Sequence, residues 1–276
     1  MHNKPHRMSL VLLLAIIFPM LCQAETEQHK PLIFGFLPSR SIVTLLEHYQ
    51  PLREYLNHEL GQNVVSESAP TYSEFVKNTA NRRYDFVLTA PHFALLAIDS
   101  GKYQAPVTYT NTLKADILIS DKSNISDLKQ LAGKKIAIPP DKAIISIAAR
   151  HYLQKHGLSG KKSPFYIVTN SHNASIHALL AGQVDAAVAS FNVTRQFTLQ
   201  NAPLKKLATT PTLPGMAFLV ASDLPEKTRQ SFIKSLVGMN QTKHGSQALK
   251  KMGYPGYRHS RKNEFESARS FLQINN

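Results

Sequence analysis

The chain has 276 residues, 43% of them hydrophobic and 18% charged, enough to bury a core and too ordinary for a disordered or fibrous protein. Its 32 lysines and arginines outnumber 18 acidic residues, but they fall in short doublets such as Arg82-Arg83 and Lys134-Lys135, with no zinc-finger or RNA-binding pattern, which argues against nucleic acid as a partner. The excess of positive charge points to an anionic ligand or an anionic membrane surface.

The first 24 residues read as a cleavable secretion signal: a basic start (His2, Lys4, His6, Arg7), a short apolar run from Leu10 to Phe18, and Cys22-Gln23-Ala24 before a cut after Ala24. The run is too short for a stable membrane anchor. A lipid-modified Cys22 is the less favoured alternative, because the preceding Pro19-Met20-Leu21 lacks the small residue a lipobox needs. Cys22 is the only cysteine, so a mature chain starting at Glu25 has no disulfide, thiolate metal site or cysteine nucleophile, and a net charge of +12. Export points to the periplasm.

Beyond the leader the same order of elements occurs twice. A strand over Leu32–Leu37 leads through Pro38-Ser39-Arg40 into a helix from about Ser41 to Leu60, apolar at Val43, Leu46, Tyr49, Leu52, Leu56 and Leu60 and stopped by Gly61. Val64-Val65 opens a second strand, Tyr72–Ala80 is helical, Asp85–Thr89 is a buried strand, and Pro91 opens the next helix. In the second half, strand Lys135–Ile138 leads through Pro139-Pro140-Asp141-Lys142 into a helix to about His156. Strand Phe165–Val168, helix Asn173–Ala181, strand Val184–Val188 and a helix from Phe191 follow. Both halves set an Asp, Asp85 and Asp185, at the mouth of an apolar strand. The segments 107–119 and 207–220 cross between the halves, and the helical tail from about Pro225 returns to the first.

This alternation predicts an α/β protein of two lobes, each a parallel-rich sheet flanked by helices, with a hinge and an interlobe cleft. The predicted lobes are residues 30–112 with 213–276, and residues 113–212. Such sheets bind ligands beyond the carboxyl ends of their strands.

No nucleophile elbow, HExxH, P-loop or dinucleotide fingerprint is present, and the 12 histidines are dispersed. The expectation is therefore no catalytic residues, no metal and no cofactor. What remains are four strand-to-helix turns rich in donors: Pro38–Ser41, Thr89–His92, Pro139–Lys142 and Asn170–Asn173. Free helix amides, the helix dipole and nearby hydroxyl, imidazole and cationic groups favour an anion. Taken singly, Ser39, Ser41 and Ser171 read better as helix caps and Lys142 as a solvated charge; their convergence is what suggests a site.

The chain also resembles the phosphate/phosphite/phosphonate-binding periplasmic proteins of ABC importers, which have the type II binding-protein fold. The resemblance rests on PLIFGFLPS, YQPLREYLNHELG, YDFVLTAPHFALLA, ISDLKQLAGKKIAIP, SHNASIHALLAGQVDAAVAS and LPGMAFLVASDLPEKTRQSFIKSL, in this order. It implies a hinged cleft, an oxyanion ligand, an importer permease as partner and a monomer. It puts the family's cleft histidine on His172, its aromatic-containing turn on Thr89–His92 and its hydroxyl-rich phosphonate turn on Asp141–Ser146. There the chain departs: DKAIIS keeps one hydroxyl, Ser146, and the acid that meets the ligand's amino group in aminoalkylphosphonate binders falls near Asn192.

The predicted ligand-binding set is Ser39, Arg40, Thr89, His92, Lys142, Ser146, His172 and Asn192. A protonatable His172 would tighten binding as pH falls through about 6.5. The alternative function is a ligand-sensing periplasmic module that regulates a membrane sensor kinase or cyclase.

Overall fold

Eleven strands and eight α-helices make up a computed structural model that describes residues 1–2 and 30–272; the leader's apolar run and its cut after Ala24 lie outside the described residues. The first sheet holds β1 (Leu32–Phe36), β2 (Val64–Glu67), β3 (Phe86–Thr89), β4 (Tyr103–Tyr109), β10 (Ala217–Ala221) and β11 (Tyr257–His259), in the order β11-β4-β10-β3-β1-β2. The second holds β5 (Ala115–Ser120), β6 (Lys135–Ile138), β7 (Phe165–Val168), β8 (Ala186–Ser190) and β9 (Leu204–Thr209), in the order β7-β6-β8-β5-β9. Each sheet has its helices on its faces, so the molecule has two α/β lobes.

Within each lobe, strands joined through a helix pair in parallel: β2-β1-β3 and β7-β6-β8. The strands that carry the chain between lobes, β4, β5, β9 and β10, pair antiparallel, as does β11. Strand character is legible in local sequence, whereas direction depends on how the chain re-enters the sheet. The two crossovers touch: Leu113 and Leu213 exchange backbone hydrogen bonds of 3.0 and 2.8 Å.

Local chemistry explains the helices. Ser41 caps α1 (Ile42–Leu60), its Oγ accepting from Thr44 N at 3.3 Å. The buried stripe of α1 runs Leu45, Tyr49, Leu52, Leu56; Val43, expected on that stripe, is 67% exposed at the helix's open first turn. Thr71 caps α2 (Tyr72–Ala80), Ser171 caps α5 (His172–Leu180) and Thr242 caps α8 (Lys243–Met252). By contrast α3 (Pro91–Asp99), α4 (Ile144–Lys155), α6 (Phe191–Leu199) and α7 (Glu226–Val237) begin at Ala90, Ala143, Ser190 and Pro225 with no side-chain cap.

The repeated Asp is a structural device. Asp85 Oδ2 accepts from Ile33 N at 2.7 Å and Asp85 N donates to Ile33 O. Asp185 does the same with Lys135 N, at 2.8 Å, and Lys135 O. The first ties the entry of β3 to β1, the second the entry of β8 to β6. Because Asp185 is used at the entry, β8 starts at Ala186, two residues later than the apolar run suggested.

The first sheet packs one face on α1, α7 and α8 around Phe34, Phe86, Phe218 and Phe232, with Phe86 and Phe232 stacked at 3.9 Å. Gly35 lies where Tyr84 crosses the sheet; a Cβ there would come 2.6 Å from the Tyr84 ring. The tail is helical as expected except for β11, and its last turn, 266–271, packs between α3 and α4, with Phe271 against His151.

Candidate functional site: a cavity between the two lobes

A cavity of about 150 Å³ lies between the lobes, at the carboxyl ends of β1, β3, β6 and β8. Its first wall carries Ser39 and Arg40 from the β1–α1 turn, Tyr49 from α1, Tyr72, Ala90, Tyr109 at the end of β4, and Tyr254. Its second carries Ala143, Ile144 and Ile145 at the start of α4, His172 and Asn173 at the start of α5, and Ser190 and Asn192 at the start of α6. Asn111, Thr112 and Leu113 of the crossover complete it. Among the described residues no aspartate or glutamate lines it.

The first-turn amides of a helix have no acceptor of their own and carry the positive end of its dipole. Three of the four helices without a side-chain cap begin at this cavity, at Ala90, Ala143 and Ser190. At α6 the Phe191 amide is used by Lys114 O, leaving those of Asn192 and Val193 at the wall.

His172 is part-buried at the first position of α5. Its Nδ1 accepts from Ser190 N at 3.3 Å, so in the neutral ring the proton sits on Nε2. Burial first, and the Arg40 charge second, lower its pKa to about 4. The ring is thus a neutral donor across the physiological range, and the expected titration near 6.5 does not hold, because a cation there would be both desolvated and repelled by Arg40.

Of the eight residues expected at the site, the structure brings four to the cavity: Ser39, Arg40, His172 and Asn192. The other four lie elsewhere. Thr89 follows strand alternation onto the face of Val87, toward α2 and α3, where it lines a separate hollow of about 30 Å³ with Oγ1 unpartnered. Ser146 is wholly buried and its Oγ donates to Pro139 O at 2.9 Å, tying α4 to the end of β6. His92 is also wholly buried; its Nε2 lies 3.1 Å from Lys142 O, joining the lobes, and its Nδ1 has no partner. Burial lowers its pKa to about 4. Lys142 is exposed and its Nζ donates to Ser73 Oγ at 2.8 Å, a second link across the cleft.

Sequence reading missed the tyrosines. Tyr49 Oη lies 3.0 Å from Tyr109 Oη and 3.1 Å from Tyr254 Oη, and His48 Nε2 is 3.2 Å from Tyr254 Oη. Tyr254 is aimed there by Gly253, whose φ of 75° ends α8 in a left-handed turn that costs other residues strain. Burial drives the Tyr49 and Tyr109 pKa values well upward, keeping both hydroxyls neutral. Burial, then Arg40, brings His48 down to about 4.

Two mixed α/β lobes joined by paired crossovers around one cleft define a periplasmic binding protein of type II architecture. The family model described as "ABC transporter, phosphonate, periplasmic substrate-binding protein" matches residues 34–265, and the chain belongs to that family. It is 22% identical to the phosphonates-binding periplasmic protein of Escherichia coli K12 over 253 residues, 85% of this chain and 73% of that one. Its fold matches a Prochlorococcus marinus structure in complex with methylphosphonate, with TM-score 0.80 and 14% identity over 89% of this chain and 98% of that one. It also matches the binding-protein component of an ABC phosphonate transporter from Pseudomonas aeruginosa, with TM-score 0.77 and 14% identity over 89% and 86%.

Proposed function

We propose that the protein captures a small phosphonate-type oxyanion in this cavity and hands it to the permease of an ABC importer, without catalysing a reaction. The observation that carries the reading is the convergence of three helix starts lacking side-chain caps on one cavity that also holds Arg40 and the Nε2–H of His172 and no carboxylate. Amide donors at helix starts suit phosphoryl oxygens, and Arg40 supplies the balancing charge. Ser39 and Asn192 add neutral donors. Membership of the phosphonate family and the methylphosphonate held by the Prochlorococcus protein support the same ligand class.

The lobes are residues 30–112 with 213–276, and 113–212, and they part and close about the Leu113–Leu213 bridge. His92 and Lys142 hold the closed form rather than the ligand. The protein is exported by cleavage after Ala24 and acts as a periplasmic monomer; mass analysis of the purified periplasmic protein should give Glu25 as its first residue. The test of function is calorimetry in a buffer free of oxyanions, with methylphosphonate, phosphite and phosphate. Saturable binding of one or more is expected; no binding of any at millimolar concentration would sink the reading.

A further inference from the structure

The cavity is lined by two kinds of group. The amide, Arg40 and His172 groups suit an oxyanion. The wall that carries Arg40 also presents the linked hydroxyls of Tyr109, Tyr49 and Tyr254, ending at His48. We propose, resting on the oxyanion reading above, that this tyrosine chain is the specificity element of the site, and that it selects an oxyanion whose substituent is uncharged and ends in a hydroxyl or other hydrogen-bonding oxygen.

Counting hydrogens gives the reason. Three hydroxyls supply three protons for three links, one of which ends on an imidazole nitrogen. With the Nε2–H tautomer, His48 donates to Tyr254, Tyr254 to Tyr49 and Tyr49 to Tyr109, which leaves the Tyr109 hydroxyl proton for an acceptor. With the other tautomer every link reverses: Tyr109 donates to Tyr49 and the chain ends by donating to His48, which leaves the Tyr109 oxygen open to a donor. Both states are neutral, so the chain can meet a group that gives a hydrogen bond, takes one, or does both, as a hydroxyl does. Cooperative polarisation along the chain strengthens the terminal bond.

Charge argues against an ammonium substituent. No carboxylate lines the cavity among the described residues. The Arg40 charge is felt both at His172 and at His48, on the tyrosine side. An ammonium entering between them would be desolvated and repelled with no counter-ion. The open Tyr109 oxygen can accept one of its N–H bonds, but a neutral hydroxyl supplies no counter-charge, and the ring faces add only a weak attraction. Size agrees: a cavity of about 150 Å³ matches one that accepts a benzene-sized molecule, room for a phosphono group and a short substituent.

The experiment compares ethylphosphonate, 2-hydroxyethylphosphonate and 2-aminoethylphosphonate by calorimetry at pH 7.5, with the full mature protein and with Tyr109→Phe and Tyr254→Phe. In the wild type the hydroxyethyl compound should bind about tenfold tighter than the ethyl compound, and the aminoethyl compound weaker than both. In Tyr109→Phe the ratio of hydroxyethyl to ethyl affinity should fall to about one. Tyr254→Phe, at a less buried ring, breaks the same chain and should reduce that ratio severalfold. A hydroxyethyl-to-ethyl ratio near one in the wild type, a ratio unchanged in both variants, or tighter binding of the aminoethyl compound each overturns the proposal. If ethylphosphonate binds and the ratio is near one, the oxyanion reading stands and the tyrosine proposal alone fails; if none of the three binds, the oxyanion reading fails and takes the proposal with it.

Discussion

His92 is the clearest place to test the electrostatics of the closed cleft. It is wholly buried between the lobes, its Nε2 meets Lys142 O and its Nδ1 has no partner. Burial lowers its pKa from 6.5 to about 4. Between those values the unfolded chain binds a proton that the folded protein does not, so stability falls as pH falls, beginning near 6.5 and levelling off below about 4; above about 7 both states are neutral and pH has no effect through this group. At pH 5 the unfolded state is favoured by about 1.5 pH units of the window, at about 1.4 kcal/mol each, or ~2 kcal/mol. His92→Gln removes the titration and can keep a donor toward Lys142 O. Urea denaturation of both proteins at pH 7.5 and pH 5.0 should show the wild type losing ~2 kcal/mol more than the variant, because His48 and His172 are common to both and cancel. Parallel losses, within about 0.5 kcal/mol, would refute the reasoning and mean that His92 sits in water.

Three further outcomes follow from the same contacts. His172→Ala should weaken methylphosphonate binding about tenfold to a hundredfold, by the same factor at pH 5.5 and pH 8 since the ring is neutral at both; a factor that grows at low pH, read by calorimetry, would mean a protonated ring. Lys142→Met loses one exposed interlobe hydrogen bond and should change affinity less than about fivefold, whereas a hundredfold loss would put Lys142 on the ligand. Gly35→Ala forces a Cβ against the Tyr84 ring and should cost about 1–3 kcal/mol of stability while sparing affinity; an unchanged melting temperature would show that Tyr84 can move aside.

How far the sequence reached depended on whether the information was local. Helix and strand positions follow from period and caps, so α2, β6 and β7 fall where their residues indicate. Of the four expected turns, those after β1 and β7 reach the cavity with Ser39, Arg40, His172 and Asn173 and that after β3 with Ala90, whereas Pro139–Lys142 stops short of it and only Ala143 beyond it lines the wall. Side-chain fate beyond the turn is not local. Ser146 has the right residue type in the right turn, but its hydroxyl is taken by Pro139 O. Thr89 is one residue out of phase with the cleft. Tyr49, Tyr109 and Tyr254 come from mid-helix, strand end and post-helix turn, and Tyr49 has the spacing of an ordinary core position. Only the packing of α8 on α1 brings the three hydroxyls together. The three residues of β11 follow Pro255-Gly256 and show no alternation long enough to read.

The absent side-chain caps at Ala90 and Ala143 set helix stability against binding. A Ser or Asp at either position would stabilise its helix by about 1 kcal/mol, the kind of change that accumulates readily elsewhere in a protein. At Ala143 the added oxygen would compete with the proposed ligand for the amides at the start of α4. Ala143→Ser is therefore expected to stabilise α4 while weakening oxyanion binding. Sulfate or phosphate in the buffer is expected to compete with methylphosphonate for the same amides, an effect that calorimetry at rising sulfate concentration reads directly.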